Sequence, residues 1–529
     1  MLQRRPISDY DFESDCAECR LTENRGIVMA ISYEWTPDEQ RQYSLAKLYR
    51  YIKDYIYPYH PYYRKLFKEN KIDPSRLQTY DDLRRIPITT KEDTIADQKA
   101  FILQPKVGES DYDVAELSTS KKLEYMWKTL TTRYIRDLYG KPRSFHDRVA
   151  QTALGEWNPI HYHMSGGTTG LPSMATYTNH DIKNVIPYIA GMLYLFGWEP
   201  NMRGLNMFPG LPHLDFFQVV FAELTVDNGA GIFHTCGGKA IPTESQVLIA
   251  GLLPFDMYIA IPSYMTYWLK TAAEMIEGGM AMKPDPVKYA VLAAEPLSEE
   301  YRAKLKDQFE KIGSPDIKII EGYGSTELRA AFFECDEQTK LHLNPEFYYW
   351  EVLDPETKEP VPWGEPGVLA FSHIDWRGTV LLRYWMGDLI EGGVVWEKCS
   401  KCGLTMPILR PPIGRAARDF TKIKGARVPL MNFQNAIRRV DGVESFQVIV
   451  TKEDEQDITS RDRVIVYACL KPGADEEVVK TNITKQVKVD TEISPDEVVI
   501  EQPEKIEQRL FERTGLKADW VVDKRELHV

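Results

Sequence analysis

The sequence predicts an α/β fold with mostly parallel sheets in a large N-terminal domain, followed by a small α+β domain. Between about residues 160 and 370, short apolar runs alternate with helical patterns and with Gly or Pro breaks, which is typical of parallel strands joined by helices. Because the ligands of such sheets bind at the carboxyl ends of the strands, we expect the chemistry there. The clearest runs are residues 204–208, 256–261, 289–293 and 318–320.

The domain organisation follows from chain length and from a change in composition after Pro411 and Pro412. The 529 residues exceed what one hydrophobic core usually supports, and the C-terminal part has strand signals of its own at residues 446–450 and 464–470. We therefore predict domains at residues 1–413 and 414–529. A hinge is expected at residues 414–419, and an acidic turn at residues 475–477.

The first part of the N-terminal domain is predicted to be helical. Residues 37–68 carry Leu, Ile, Tyr and Phe at helical spacing. Residues 87–93, Pro-Ile-Thr-Thr-Lys-Glu-Asp, predict a turn followed by a capped helix.

Bulk composition excludes several classes of partner. The net charge of −13 argues against a nucleic acid held by general electrostatics, and no run reaches the roughly 18 uncharged apolar residues of a membrane span. The N-terminal residues lack the apolar segment of a signal peptide, and an odd count of seven cysteines fits a reducing compartment. We therefore expect a cytoplasmic protein without nucleic-acid or membrane partners.

A glycine- and threonine-rich stretch is the strongest single motif. Glycines let backbone N–H groups converge on phosphate oxygens, and hydroxyl side chains add donors at the same place. The stretch has neither the Gly-Lys-[Ser/Thr] ending of the Walker loop nor the G-x-G-x-x-G of dinucleotide sites, so a polyphosphate loop of another class and a plain surface turn both remain open. Its residues are Ser165, Gly166, Gly167, Thr168, Thr169 and Gly170.

A second motif follows a buried-strand pattern at residues 319–320 and reads Gly-Tyr-Gly-Ser-Thr-Glu. Tyr323 offers a flat ring to a purine, Thr326 a hydroxyl donor and Glu327 a hard oxygen ligand for Mg²⁺, with Gly324 and Ser325 between them. Asp388, placed just after another apolar strand, is a carboxylate that can accept from both hydroxyls of a ribose.

Together these motifs resemble those of the acyl-adenylate-forming superfamily, and more narrowly those of its phenylacetate–CoA ligase branch. The resemblance covers most of the chain. The phosphate loop of this branch reads His-x-Ser-x-Gly-Thr-Thr-Gly-x-Pro followed by Tyr-Thr, which residues 163–172 and 177–178 match. Further matches are the adenine segment at residues 293–296, the Pro-Ser-Tyr element at residues 262–264 and the N-terminal signature at residues 87–93.

The resemblance implies ATP-dependent ligation of an aromatic carboxylic acid to coenzyme A through an acyl-adenylate, with release of AMP and pyrophosphate. It implies ATP, Mg²⁺ and coenzyme A as ligands, and adenine contacts from Ala294, Glu295 and Pro296. The C-terminal domain would be a mobile lid that brings Lys517 to the phosphates. The ribose-contacting arginine is Arg415 or, in a hinge that is one residue longer than the family pattern, Arg418.

A structural Zn²⁺ site is implied by the same branch. Cys399 and Cys402 form a C-x-x-C half-site, which alone is weak evidence, and Cys335 and His342 are spaced like a second ligand pair. The alternative is a set of unrelated buried thiols and an imidazole. No role is assigned to the second C-x-x-C pair, Cys16 and Cys19.

The acyl pocket is expected at Phe208, His213, Gly237 and Ala293, because an aromatic and glycine-rich lining suits a flat aryl acid. Each phenylalanine could equally be core, and benzoate-like, arylacetate-like and fused-ring acids remain open. Residues 1–35 and about 100–155 exceed the usual length of the branch. They form either a cap on the pocket or an oligomer contact, for instance in a homodimer.

Two other functions stay open from the sequence. An adenylating enzyme could pass the acyl group to a carrier-protein thiol or to an amine instead of coenzyme A. A zinc-containing binding protein with a decayed site is disfavoured, because the side chains that the chemistry needs are all present. These are Thr168, Tyr323, Glu327, Asp388 and Lys517.

Overall fold

Side-chain caps set the first residues of the N-terminal helices in the computed structural model. Thr36 accepts from the backbone N–H of Glu39, whose carboxylate in turn accepts from the backbone N–H of Thr36, and a helix follows at Pro37–Tyr51. Thr90 and Asp93 form the same capping box before the helix Lys91–Ala96. The predicted helical layer and the capped helix after Pro87 are therefore confirmed.

The structure describes residues 33–103, 119–131, 144–164, 173–210, 214–225, 231–415, 420–423, 426–454, 461–491, 493–511 and 518–525. The α-helices within these ranges are α1 (Pro37–Tyr51), α2 (Tyr57–Tyr59), α3 (Pro61–Glu69), α4 (Tyr80–Arg84), α5 (Lys91–Ala96), α6 (Thr119–Thr131), α7 (Phe145–Trp157), α8 (Ile186–Ala190), α9 (Leu214–Thr225), α10 (Thr243–Leu252), α11 (Pro262–Glu277), α12 (Glu299–Lys311), α13 (Leu430–Arg438), α14 (Glu476–Thr491) and α15 (Pro503–Phe511). Short 3₁₀ or π turns lie at Ile52–Ile56, Pro74–Arg76, Gln98–Phe101, Asp181–Val185, Gly191–Phe196 and Gly237–Lys239.

The strands of the larger part are β1 (Pro159–Met164), β2 (Met174–Thr178), β3 (Arg203–Asn206), β4 (Gly231–His234), β5 (Met257–Ala260), β6 (Tyr289–Ala293), β7 (Lys318–Ser325), β8 (Ala330–Phe333), β9 (Leu341–His342), β10 (Tyr348–Leu353), β11 (Gly367–His373), β12 (Tyr384–Ile390), β13 (Val394–Lys398), β14 (Thr405–Leu409) and β15 (Ile413–Arg415). Six more follow: β16 (Phe420–Ile423), β17 (Ala426–Pro429), β18 (Val443–Lys452), β19 (Asp462–Leu470), β20 (Glu497–Ile500) and β21 (Val521–Asp523).

A six-stranded sheet in the order β4-β3-β5-β6-β7-β8 forms the centre of the larger part. Its first five strands are parallel, and β8 pairs antiparallel with β7. Successive residues of β6 face opposite layers: Ala290 and Leu292 join the cluster under α11 and α12, whereas Val291 and Ala293 join the cluster with Phe208. The predicted α/β class with a parallel sheet is confirmed.

The strands β9 to β15 pair antiparallel with one another, because short loops rather than helices connect most of them. One sheet has the order β10-β11-β12-β15, another β13-β14-β9, and β1 and β2 form a hairpin. The N-terminal helices pack on these strands; for example, Gln40 donates to the backbone oxygen of Thr405 at 2.8 Å.

The C-terminal part has a mixed sheet in the order β20-β19-β18-β21 and its own hydrophobic cluster around Phe433, Val466 and Ile483. The predicted α+β character is confirmed. The predicted acidic turn is wrong: Asp475 caps the helix α14 by accepting from the N–H of Val478 at 3.0 Å, and the acidic residues that follow lie in its first turn. The predicted boundary between residues 413 and 414 falls inside β15, which pairs with β12, and it stays a prediction.

Across the described ranges, no helix combines the length and the apolar character needed to cross a membrane.

A buried carboxylate, Asp181, joins three distant segments of the larger part. It accepts from the N–H of Thr178 at 2.9 Å, from the N–H of Gly378 at 3.1 Å and from the N–H of Arg377 at 2.7 Å. It also pairs with the guanidinium of Arg329 at 3.4 Å, and both side chains are fully buried. The pair is therefore a structural requirement, because neither charge has water to replace its partner.

We expect Asp181→Asn to lower the free energy of unfolding by about 3–5 kcal/mol, because it leaves a buried guanidinium unpaired. Urea titration measures this loss. Glu497→Gln serves as the control, since Glu497 and Arg463 form an exposed pair at 2.6 Å whose loss should cost less than about 1 kcal/mol. Equal effects of the two substitutions would contradict the assigned role of Asp181.

Candidate active site

Tyr323 and Asp388, predicted from separate motifs, meet at one edge of the structure. The hydroxyl of Tyr323 donates to Oδ2 of Asp388 at 2.6 Å. The sequence predicted Asp388 just after a strand, and this placement is wrong. Asp388 lies within β12, where buried and half-buried residues alternate. A ring and a carboxylate held this way offer a stacking face and an acceptor for hydroxyl groups.

The motif around Tyr323 extends β7 instead of forming a loop. Gly324 is required there, because a Cβ at this position would lie 2.6 Å from the backbone oxygen of Ala330 on β8. Ser325 ends the strand and accepts from the N–H of Leu328 at 3.1 Å. Thr326 and Glu327 follow in the turn and line a small cavity.

Four polar residues that the sequence analysis missed line the same cavity as Thr326 and Glu327. They are Thr94, Gln98, Ser173 and Thr379. Gln98 accepts from the N–H of Met174 at 3.0 Å, so the segment after α5 contacts the strand β2 directly. The motif at residues 87–93 could have pointed to Thr94 and Gln98, because it directly precedes them in the chain.

The predicted adenine segment contacts the predicted Pro-Ser-Tyr element. The carboxylate of Glu295 accepts from the backbone N–H of Ser263 at 3.0 Å and from its hydroxyl at 2.9 Å. Ala294 has a φ of 74°, a left-handed conformation that costs energy in a residue other than glycine. Pro296 follows, and the N–H of Leu297 donates to the buried Glu321 at 3.3 Å.

Two of the predicted substrate residues line one apolar cavity. Phe208 lies after β3 and Ala293 ends β6, and both contribute to its wall. Gly237 is not among the described lining residues; it has a φ of 63° and sits beside Met207 and Pro209. The cavity adjoins the Tyr323 strand, because Ala293 pairs with Gly322 on β7.

A chain of hydrogen bonds supports the wall at Phe208. Oδ1 of Asn206 accepts from the N–H of Phe208 at 3.1 Å, and its Nδ2 donates to Nδ1 of His234 at 3.0 Å. Nε2 of His234 lies 2.9 Å from the carboxylate of Glu223 on α9. Because Asn206 and His234 end neighbouring parallel strands, the network lies at the carboxyl edge of the sheet. Sequence reasoning did not find it, since its members are far apart in the chain.

The hairpin β1–β2 brackets the predicted phosphate loop. His163 on β1 is fully buried against Tyr177 and Phe217. Burial, with His161 and Arg329 nearby, lowers the pKa of His163 to about 3, so its imidazole is neutral at pH 7.

Several predicted positions lie outside the described residues: Ser165, Gly166, Gly167, Thr168, Thr169, Gly170, His213, Lys517, Arg418, Cys16 and Cys19. The backbone of Arg415 pairs with Asp388 across β15 and β12.

The four predicted metal ligands form one cluster. One ligand atom from each of Cys335, His342, Cys399 and Cys402 lies within 4.8 Å of the others. Sγ of Cys335 and Sγ of Cys399 are 3.7 Å apart, and Sγ of Cys402 is 3.5 Å from Nε2 of His342. A tetrahedral site with metal–sulfur bonds of about 2.3 Å has sulfur–sulfur edges of about 3.8 Å, so the spacing fits such a site.

The hydrogen bonds around this cluster also fit a metal site. Nδ1 of His342 lies 3.1 Å from the backbone oxygen of Lys340, so it donates there and leaves the Nε2 lone pair facing the thiols. The N–H of Lys401 donates to Sγ of Cys399 at 3.4 Å within the turn between β13 and β14. The donor set of three thiols and one imidazole is typical of structural zinc.

Comparison with known proteins gives the class of protein to which this fold belongs. Residues 89–385 match the family described as AMP-binding enzyme, and the chain belongs to this family. The predicted resemblance to acyl-adenylate-forming enzymes is thereby confirmed.

The chain is also similar to individual ligases. The chain is 27% identical over 412 residues to the phenylacetate–coenzyme A ligase of Thermus thermophilus, which covers 76% of each protein. It is 23% identical over 399 residues to the ligase of that name from Aromatoleum evansii, with 73% of this chain and 70% of that protein covered. A crystal structure of 2-hydroxyisobutyryl-CoA ligase in the postadenylation state, with 2-HIB-AMP, matches with a TM-score of 0.69 at 18% identity and covers 96% of this chain and 95% of that one. This last match shows a shared fold.

We expect Asn206→Ala to lower the free energy of unfolding by about 1–3 kcal/mol, because the buried N–H of Phe208 loses its acceptor. Urea titration provides the measurement. Asn184→Ala is the control: Asn184 is exposed, and among the described residues its side chain bonds only to His180 in the same turn, so its loss should cost less than about 0.5 kcal/mol. An unchanged stability in the Asn206 variant would show that the network does not support the cavity wall.

Proposed function

We propose that this protein is an AMP-forming ligase that joins an aromatic carboxylic acid to coenzyme A through an acyl-adenylate. Membership of the AMP-binding enzyme family and the phenylacetate–coenzyme A ligases among its relatives support the proposal. One observation carries it: an apolar cavity with Phe208 and Ala293 in its wall directly adjoins the strand of Tyr323. An acid bound in this cavity would place its carboxylate beside a nucleotide at that edge.

In the first half-reaction, a carboxylate oxygen of the acid attacks the α-phosphorus of ATP and pyrophosphate leaves. In the second, the thiol sulfur of coenzyme A attacks the acyl carbon, AMP leaves and the thiol loses its proton. Both steps depend on positioning and on neutralisation of the phosphate charge. Because the acid and ATP are both anions, we assign Lys517 and the hydroxyl of Thr326 to the phosphates.

The remaining site residues take up the nucleotide. Tyr323 stacks on the adenine, and Asp388 and Arg415 contact the ribose, while Ala294, Glu295 and Pro296 border the base. Residues 165–170 cradle the β- and γ-phosphates. Glu327 is the ligand for Mg²⁺, which offsets phosphate charge when bound.

The identity of the acyl acceptor is tested by measuring pyrophosphate release and thioester formation separately. An aryl acid and ATP alone should give pyrophosphate and an acyl-adenylate, and a thioester should form only after coenzyme A is added. An adenylate that hydroxylamine traps but coenzyme A never consumes would show that another thiol or amine is the acceptor.

We expect Lys517→Ala to slow acyl-adenylate formation by about 100- to 1,000-fold, because the α-phosphate loses a charge that stabilises the transition state. Thioester formation from preformed acyl-adenylate should stay nearly unchanged. Quenched-flow assays of each half-reaction measure the split. Lys505→Ala, an exposed lysine on α15, is the matched control and should alter neither step. Equal loss of both steps in the Lys517 variant would refute its role.

We further propose that the cluster of Cys335, His342, Cys399 and Cys402 holds a structural zinc ion. The supporting observations are the spacing of the four ligand atoms and the tautomer that the Lys340 carbonyl imposes on His342. Four protein ligands leave no open position for water, so the ion would tie β9 to the β13–β14 turn and take no part in the reaction.

Purified protein should contain about one zinc ion per chain, as measured by elemental analysis. Cys402→Ser should lose this zinc and lower the melting temperature, since metal binding contributes to folding. Cys469→Ser is the control, because Cys469 lies in a separate cluster with Ile506 and Leu510 and its variant should keep the zinc. Zinc-free native protein, or a Cys402 variant that keeps its zinc, would refute the site.

A further inference from the structure

Two of the described residues that line the apolar cavity beside Ala293 have polar atoms in their side chains. They are Gln218, with its amide, and Trp198, whose indole N–H is buried and has no hydrogen-bond partner within the described part of the chain. Of the two, only the Gln218 amide offers an acceptor. The others are aliphatic or aromatic, and none is charged. Such a wall accepts an uncharged body and fixes its orientation through few polar contacts.

The orientation of the Gln218 amide follows from its neighbour. Its Nε2 donates to the backbone oxygen of Arg329 at 3.0 Å, and only the nitrogen of an amide can donate to a carbonyl. The other polar atom of the amide, Oε1, takes no part in this bond. Among the described residues no hydrogen bond to Oε1 is found, and Gln218 contributes to the cavity wall, so this oxygen is the group of Gln218 that can accept a bond from a ligand there.

We propose that the preferred acid carries a hydrogen-bond donor, a hydroxyl or an amino group, on its aromatic body and gives this donor to Oε1 of Gln218. The proposal rests on the proposed function and names the substrate class within it. An unsubstituted ring would cover the amide oxygen without replacing the water it loses, and an unpaired polar group in a closed pocket is costly.

The hydrogen bonds around the Gln218 amide determine the effect of a substitution at this position. The hydroxyl of Tyr177 donates to the same Arg329 oxygen at 3.0 Å, so this carbonyl keeps a partner when the amide is removed. Methionine has about the volume of glutamine and suits an apolar wall. Gln218→Met therefore removes the acceptor at nearly unchanged side-chain volume, and of the two bonds to the Arg329 oxygen it keeps the one from Tyr177.

The first test is a matched series of benzoic and arylacetic acids in a pyrophosphate-release assay. At each ring position the series compares hydrogen, hydroxyl, amino and methoxy groups. We expect the KM of the hydroxyl or amino acid to be about tenfold or more below those of the hydrogen and methoxy acids at one position, with similar kcat, because the contact forms already in the ground state.

Three outcomes overturn the proposal, and they are distinguishable. If methoxy equals hydroxyl, size and not donation is selected; if the unsubstituted acid is best, the amide oxygen is not used. Either result leaves the ligase function intact. If no acid releases pyrophosphate, the proposed function fails and this inference fails with it.

The second test uses the variant. Gln218→Met should raise the KM of the donor-bearing acid to that of its unsubstituted counterpart and leave the unsubstituted acid unaffected or improved. Gln246→Met is the matched control: Gln246 is buried at the same sheet edge but donates to Gly237, Ile241 and Tyr264 instead of lining the cavity. It should lower stability without changing the KM ratio. A ratio unchanged in the Gln218 variant would refute the proposal.

Discussion

The geometry of the candidate active site depends on the buried carboxylate of Asp181. Its four donors come from the end of β2, from the turn after Thr326 and Glu327, and from the segment before Thr379. Arg329 adds a bond of 2.7 Å to the backbone oxygen of Thr176 and stacks at 3.9 Å on the ring of Trp376. Segments that are far apart in the chain are thus held at one point, and the cavity around Glu327 lies between them.

A second set of buried charges connects the cluster of three cysteines and His342 to β7, the strand that carries Tyr323. Glu334, which precedes Cys335, pairs with Arg302 at 3.1 Å and accepts from the N–H of Glu321 at 2.8 Å. Burial and the nearby Glu334 raise the pKa of the Glu321 carboxyl to about 7. Because Glu321 also accepts from the N–H of Leu297, an unbroken series of contacts runs from the cysteine cluster to the predicted adenine segment.

Local sequence patterns predicted those parts of the site that depend on residue type and spacing. The cysteine cluster, the Tyr323 strand and the cavity residues Phe208 and Ala293 are of this kind. Asp388 was predicted just after an apolar strand, but it occupies a buried position inside β12, where the hydroxyl of Tyr323 donates to its carboxylate. Asp181, Gln98 and Gln218 lie in ordinary helical or turn sequence, and their roles arise only from long-range packing.

The apolar cavity adjoins the strand of Tyr323 at a pair of very small residues. Ala293 and Gly322 are paired on β6 and β7, and a Cβ at Gly322 would lie 3.2 Å from that of Ala293 and 2.8 Å from the ring of Phe333. In the proposed reaction, an acid that fills the cavity would extend its carboxylate past this pair to reach a phosphate near Tyr323. Larger residues here would crowd Phe333 into the cavity, so the small pair keeps the two half-sites in contact and limits how long the acid's linker needs to be.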